Sequence, residues 1–375
     1  MILPTRPELA QEKPYGAPQL DVPVCLNVNE NPYDPSPELV QQIASEVAKA
    51  AAQLNRYPDR DFTALRTDLA AYLAEESGVQ LDITQLWAAN GSNEVMLHIL
   101  QAFAGPGRTV ASFLPSYSMY PEYARDVHST WVAGQRNADF SLNFVEVQRV
   151  LAGANPAVIL LASPNNPTGT ALPFDQLRQV LELAIQHGPQ LDVGNGEVEK
   201  TAALVVVDEA YAEFRRDGVP SALELLAEYP NLVVTRTMSK AFGAAGLRLG
   251  YMAASPEIVD QIRIVRLPYH LSAVTQAAAR GALAQRAELS KQVAQIRADR
   301  DQLAESLRAL GWEVAESDAN FVMFGHLEDR HQVWQGLLDR GVLIREVGPD
   351  GWLRVSIGTP EENAAFLTAL QEVTK

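Results

Sequence analysis

Lys240 lies in TRTMSKAFGAAGLRLGY (235–251), with Ser239 before it, Arg248 eight positions on and no acid between. Such an amine suits covalent work. Lysine condenses with carbonyl compounds, and neighbouring cations and exclusion of water lower its pKa enough to make it nucleophilic near neutrality. Arg248 is one such cation. Ser239, the backbone from Gly243 to Gly246 and the Arg248 guanidinium are also donors of the kind a phosphate takes up. An isolated Ser-Lys pair is more often a solvated surface lysine, so the reading rests on the remaining segments. Asp208 ends the apolar run LVVV. A carboxylate there needs a cation or several donors, and a protonated ring nitrogen would serve; capping of the next helix is the alternative. Arg354 in LRVSIG is an arginine among apolar residues whose fork matches carboxylate or phosphate. Arg345 in VLIREV is a weaker candidate for the same task, with a plain salt bridge the alternative for both.

These side chains need elements to hold them. LWAANGSNEVMLHILQAF reads as a strand, a glycine-led turn and a helix whose first turn is Ser92, Asn93 and Glu94. A helix start of this kind can seat an anion, although most bind nothing. PSYSMY ends another short strand, and its Tyr117 is able to lie flat against a planar ring or simply to pack. From Val158 onward, apolar β-rich runs alternate with amphipathic helices, which predicts an α/β fold with a mostly parallel sheet covered on both faces. In such sheets the ligand crevice lies beyond the carboxyl ends of the strands. That rule gathers Asn166, Asp208 and Lys240.

The flanks read differently. Residues 1–37 are proline-rich and form an extended arm in which Asn29, Glu30, Asn31 and Tyr33 suit the rim of a site or a capping loop. A helix opened by Ser36 and Pro37 is expected to end near Asn55, and a second to close at Gly78, with Tyr57 between them. The polar stretch 186–200 reads as a surface loop. After Tyr269 a long alanine-rich helical region leads into a small α+β unit. The expected division is residues 1–39 as arm and part of a smaller domain, 40–270 as the large domain, and 271–375 as the small carboxyl-terminal domain.

Composition excludes several functions. A net charge of −16 opposes broad binding to nucleic acid or anionic membranes. The single cysteine, Cys25, permits no intramolecular disulfide and fits a reducing compartment. None of the six histidines has metal-ligand spacing to another. No signal-like or membrane-spanning apolar run is present, so the expected location is the cytoplasm.

The ordered set LNVNENPY, RYPDRD, NGSNE, PSYSMY, SPNNPTG, VVVDEAYAEF, TMSKAFGAAGLRLGY, RLPYHLSA and LRVSIG resembles the histidinol-phosphate aminotransferases, within the fold-type I pyridoxal phosphate enzymes. NPTG marks the wider aminotransferase group, whereas NENPY, DEAYAEF and RLPYHLSA point to this branch. The resemblance implies pyridoxal 5'-phosphate carried on Lys240, with Asp208 at the pyridinium nitrogen, Asn166 and Tyr211 at the ring oxygen and Tyr117 stacked on the ring. It implies a phosphate held by Ser92, Asn93, Ser239 and Arg248, with Tyr57 reaching in from a second subunit of a homodimer. The substrates it implies are histidinol phosphate and 2-oxoglutarate, their anionic ends on Arg354, with Tyr33 and Asn29 assisting from the arm and Tyr269 from a second subunit, beside the weaker candidate Arg345. Aromatic amino-acid aminotransferases are the runner-up, ahead of threonine-phosphate decarboxylases. A non-catalytic pyridoxal phosphate regulator is disfavoured, since the chain has no spare length for a DNA-reading segment.

Overall fold

The computed structural model describes residues 3–10, 12–14, 16–194 and 196–375. The arm is irregular apart from strand β1 (Val24–Cys25). Helix α1 (Pro37–Ala51) starts where the Ser36 hydroxyl accepts the Leu39 amide and Pro37 presets the first turn, and it ends four residues short of Asn55. Helix α2 (Thr63–Ser77) is held at its start by Asp59, which accepts the Thr63 amide, and stops at Gly78, whose φ of 74° is left-handed.

The large sheet then begins: β2 (Leu86–Ala89), α3 (Ser92–Phe103), β3 (Thr109–Leu114), α4 (Tyr120–Asp126), β4 (Thr130–Gln135), α5 (Phe144–Ala154), β5 (Val158–Ala162) and α6 (Phe174–Gln186). Here 186–200 departs from the expected loop. Strands β6 (Gln190–Gly194) and β7 (Glu197–Lys200) pair antiparallel as a hairpin. QLDV alternates polar and apolar over only four residues, and the polar, glycine-bearing stretch around it masks the signal. The sheet resumes with β8 (Leu204–Asp208), β9 (Leu232–Thr237) and β10 (Gly250–Ala254), followed by α7 (Pro256–Val265).

Among the described residues these strands make one seven-stranded sheet in the order β2-β10-β9-β8-β5-β3-β4. β10 runs antiparallel to both neighbours and the other pairings are parallel, which is the mostly parallel sheet expected. Every residue of β2, β5, β8, β9 and β10 is buried. Successive strand side chains point to opposite faces, so both faces are covered. Register sets Ala162 beside Asp208 and Asp208 beside Thr235, aligning the carboxyl ends of three parallel strands.

Beyond the sheet, the alanine-rich region is two helices, α8 (Ala273–Ala284) and α9 (Arg286–Ala309), which meet at Gln285. Gly281 sits where a Cβ would lie 3.0 Å from the Ile43 Cα, so glycine lets α8 lie close on α1. The remaining elements are β11 (Glu313–Val314), β12 (Phe321–Gly325), α10 (Arg330–Leu338), β13 (Val342–Leu343), β14 (Trp352–Ser356) and α11 (Pro360–Val373). β11, β12 and β14 form an antiparallel sheet, and β1 of the arm pairs parallel with β13. The arm is thereby stitched to the carboxyl-terminal unit. A buried ion network fastens the ends of β8 and β9 beneath the crevice: Arg236 bonds Glu209, Glu76 and Glu213, and Glu209 also accepts Ser221 and the Ala222 amide.

Candidate active site

The carboxyl ends of the parallel strands open into a cavity of roughly 270 Å³. Asn29, Ser92, Asn93, Tyr117, Asn166, Asp208, Tyr211, Ser239, Lys240, Arg248, Arg345 and Arg354, drawn from seven separate stretches of sequence, share its wall.

Lys240 follows β9 in a tight turn, its carbonyl accepting the Gly243 amide. Its Nζ donates to the Val28 carbonyl of the arm at 2.8 Å and stands 6.0 Å from the Tyr211 ring. Protein surrounds the amine on every side but the cavity. Desolvation, then the Arg354 charge, pushes its pKa down to about 8, with Glu30 opposing and Arg248 adding less. The sequence pointed to Arg248 as the depressing cation, whereas the fold makes Arg354 the stronger one.

Asp208 is buried at the end of β8. Thr235 Oγ1 donates to its Oδ1 and the Tyr120 hydroxyl to its Oδ2, each at 3.3 Å. Burial pushes its carboxyl up to about 6, against the hydrogen bonds from Thr235, Tyr120 and the Ala210 backbone. Of the two solutions open to a buried carboxylate, the fold supplies donors. No salt bridge reaches it among the described residues.

A chain of polar contacts spans the cavity from the other side. Arg354 Nη1 donates to Asn166 Oδ1 at 2.6 Å and Nη2 to the Asn27 carbonyl at 2.9 Å, with the guanidinium 5.0 Å from the Phe321 ring centroid. Asn166 Nδ2 and Asn29 Nδ2 reach the Tyr211 hydroxyl at 3.4 and 3.0 Å. Asn29 is itself held by Ser356, whose hydroxyl donates to its Oδ1 at 2.8 Å and accepts its amide. Arg345 and Arg354 exchange backbone hydrogen bonds, which sets both on one wall.

The third wall is a cradle. Helix α3 begins at Ser92, and the Ser92 and Asn93 amides have no partner within the helix, whereas those of Glu94 and Val95 donate to the Gly91 carbonyl. Arg248 Nη1 donates to Ser239 Oγ at 3.2 Å. A Cβ on Gly91 would lie 2.6 Å from Arg248 Nη2, and one on Gly250 would lie 2.1 Å from the Ser92 amide nitrogen. Glycine at both positions lets strand, helix start and guanidinium converge on one anion-sized space.

Three candidates lie off the wall. Tyr33 lines no part of the cavity; its hydroxyl bonds Asp299, and burial followed by that carboxylate pushes its pKa up to about 12. Tyr57 and Tyr269 stack on each other at 4.5 Å, 81 % and 41 % exposed. Sequence reasoning missed Tyr120 and Thr235. Thr235 could have been found from strand register, because a residue of β9 beside Asp208 faces the same carboxylate; nothing local marks Tyr120.

The chain matches the family described as aminotransferase class I and II over residues 22–370. It is 57% identical to histidinol-phosphate aminotransferase 3 of Burkholderia lata over 99% of this chain and 96% of the relative. It is 52% identical to the histidinol-phosphate aminotransferase of Bifidobacterium longum, over 100% and 97%. Its fold is that of the Sinorhizobium meliloti histidinol-phosphate aminotransferase solved with pyridoxal-5'-phosphate, at a TM-score of 0.78, 24% identity, and coverage of 94% of this chain and 91% of the other.

Proposed function

The chain belongs to the class I and II aminotransferase family, and from that premise we propose that it transfers an amino group between L-histidinol phosphate and 2-oxoglutarate with pyridoxal 5'-phosphate, a step of histidine biosynthesis. Its architecture is fold-type I. The observation that carries the reaction class is one cavity holding a water-screened amine at one end and a buried carboxylate without a cation at the other.

The residues present fit the cofactor. Asp208 faces the cavity with donors but no cation, so a protonated ring nitrogen completes its shell. The cradle of Ser92, Asn93, Ser239 and Arg248 would take the phosphate, and a Cβ at Gly91 or Gly250 would fill it. Asn166 and Tyr211 would meet the ring oxygen, Tyr117 would stack, and Lys240 would hold the aldehyde carbon. When bound, pyridoxal phosphate supplies an electron sink for the substrate carbon that loses its proton.

The protein's part is positioning and proton traffic. With a pKa of about 8, the Lys240 amine is neutral in a useful minority of molecules just above neutrality and in most of them above pH about 8, and in that form Nζ can accept a proton from the substrate carbon and return it elsewhere. The ionised Asp208 favours the proton on the ring nitrogen. Arg354, assisted by Arg345, binds the anionic end of each substrate in turn, and Asn29 holds the Tyr211 hydroxyl in place.

Steady-state turnover separates substrates. The kcat/KM for histidinol phosphate is expected to exceed that for phenylalanine by at least about a hundredfold, since phenylalanine offers Arg354 and Arg345 a singly charged carboxylate held directly on the amine-bearing carbon in place of a longer-reaching phosphate with more charge and more acceptor oxygens. A preference for phenylalanine would reject the assignment. Arg354→Ala has two expected effects. KM for both substrates rises by about thirtyfold or more, the cost of truncating a buried charge partner. Loss of a positive neighbour also lets the Lys240 pKa climb above about 8, so the alkaline rise of the cofactor-capture rate shifts upward.

The arrangement also supports a homodimer in which Tyr57 and Tyr269 enter the neighbouring copy's site. What supports it is an exposed stacked pair flanked by exposed Ile264 and Leu267. Sedimentation tests this; a fully active monomer would refute it. The single cysteine and the charge of −16 fit a cytoplasmic enzyme.

A further inference from the structure

Tyr120 opens α4 and is completely buried, yet none of the roles given so far uses it. Its hydroxyl lies 3.3 Å from Asp208 Oδ2, opposite the Thr235 hydroxyl at Oδ1. Its ring meets Tyr117 edge to face, with centroids 5.6 Å apart and planes at 88°. We propose that Tyr120 is a positioning residue of this centre: its hydroxyl orients the Asp208 carboxylate while its ring seats Tyr117, so one side chain sets both the far-side anion and the stacking face.

Each Asp208 oxygen has one side-chain donor, and these two donors fix the plane of the carboxylate. They also keep it charged. Burial alone favours the neutral acid, the neighbouring Glu209 adds to that tendency, and only the Tyr120, Thr235 and Ala210 donors oppose it. Asp208, Tyr117, Tyr123 and the Arg136 guanidinium face Tyr120, and burial holds its hydroxyl well above the usual phenol range. It is therefore a donor throughout the working pH range. Glu209 is occupied by Arg236, Ser221 and the Ala222 amide, which leaves Asp208 as the carboxylate within Tyr120's reach.

The proposal rests on the pyridoxal phosphate reading for its functional meaning, but its geometry can be tested without the cofactor. Tyr120→Phe keeps the ring and removes the hydroxyl. In the full cofactor-free chain carrying carbon-labelled aspartate, the Asp208 carboxyl resonance, assigned by its loss in Asp208→Asn, is expected to titrate about one pH unit higher. In the loaded enzyme the acid limb of the kcat/KM profile moves the same way, and kcat falls by about tenfold. Tyr120→Leu should additionally alter the circular dichroism of the bound cofactor as Tyr117 loses its seat. An unmoved Asp208 titration in a folded Tyr120→Phe overturns the proposal. Should that variant fail to fold, the Tyr120 phenol carbon resonance is compared between wild type and Asp208→Asn; no shift overturns the proposal equally. Failure of wild type to take up pyridoxal phosphate would instead sink the functional reading and leave the titration result standing.

Discussion

Lys240→Ala is expected to lower turnover by at least about 10⁴-fold, because one substitution removes both the group that holds the cofactor and the group that carries the proton. The fold should survive. Among the described residues Lys240 makes a single side-chain hydrogen bond, to the Val28 carbonyl, and alanine leaves space that opens onto the cavity. Borohydride reduction followed by peptide mass spectrometry checks the chemistry: the wild type should carry the cofactor's mass on the peptide containing position 240, and the variant should carry none. The pH dependence has a definite sign. The folded pKa of about 8 lies below the ordinary lysine value, so the amine is protonated and inert below it and becomes competent as pH rises through it. The rate at which cofactor-free protein captures the aldehyde should therefore rise through pH about 8, well below where an exposed lysine would respond.

Asp208→Asn has the second largest expected effect. Asparagine preserves shape but keeps a single acceptor oxygen, so it cannot accept from both Thr235 and Tyr120 where they now stand, and it carries no charge to hold a proton on a ring nitrogen. Breaking a buried charge pair in this way costs about 3–5 kcal/mol, so kcat should fall by roughly 10²- to 10⁴-fold with little change in KM. Absorbance titration of the bound cofactor gives an independent readout. If the ring nitrogen keeps its proton at neutral pH in the variant, Asp208 is not its partner.

Much of the sheet was legible in the chain because the physics that builds it is local. Apolar runs such as LVVV and AVILL, spaced by amphipathic helices, demand a sheet covered on both faces. Caps at Ser36 and Gly78 mark their own helix ends. The ligand crevice follows from strand polarity, and so Asn166, Asp208 and Lys240 could be grouped before any distance was known. Features set by pairing partners were less accessible. The antiparallel direction of β10 leaves no trace in GYMAA, since a fully buried strand is apolar whichever way it runs. The hairpin at 190–200 alternates over only four residues, QLDV, and its second strand is exposed throughout, so little in its pattern separates it from a loop. Tyr33 looked like a rim residue, whereas the proximity of α9 hands its hydroxyl to Asp299, 266 positions along the chain. Tyr120 lies 88 positions from Asp208, and only the three-dimensional neighbourhood of β8 connects them.

The arm has a mechanical corollary. Val28 receives the hydrogen bond of the reactive amine, and the next residue, Asn29, is gripped through amide and side chain by Ser356 at the end of β14. A tug on the carboxyl-terminal unit is thus transmitted to the amine across one peptide link. The same strand carries Arg354, the charge that, after burial itself, most lowers the pKa of that lysine, so β14 governs both the resting place of the amine and its basicity.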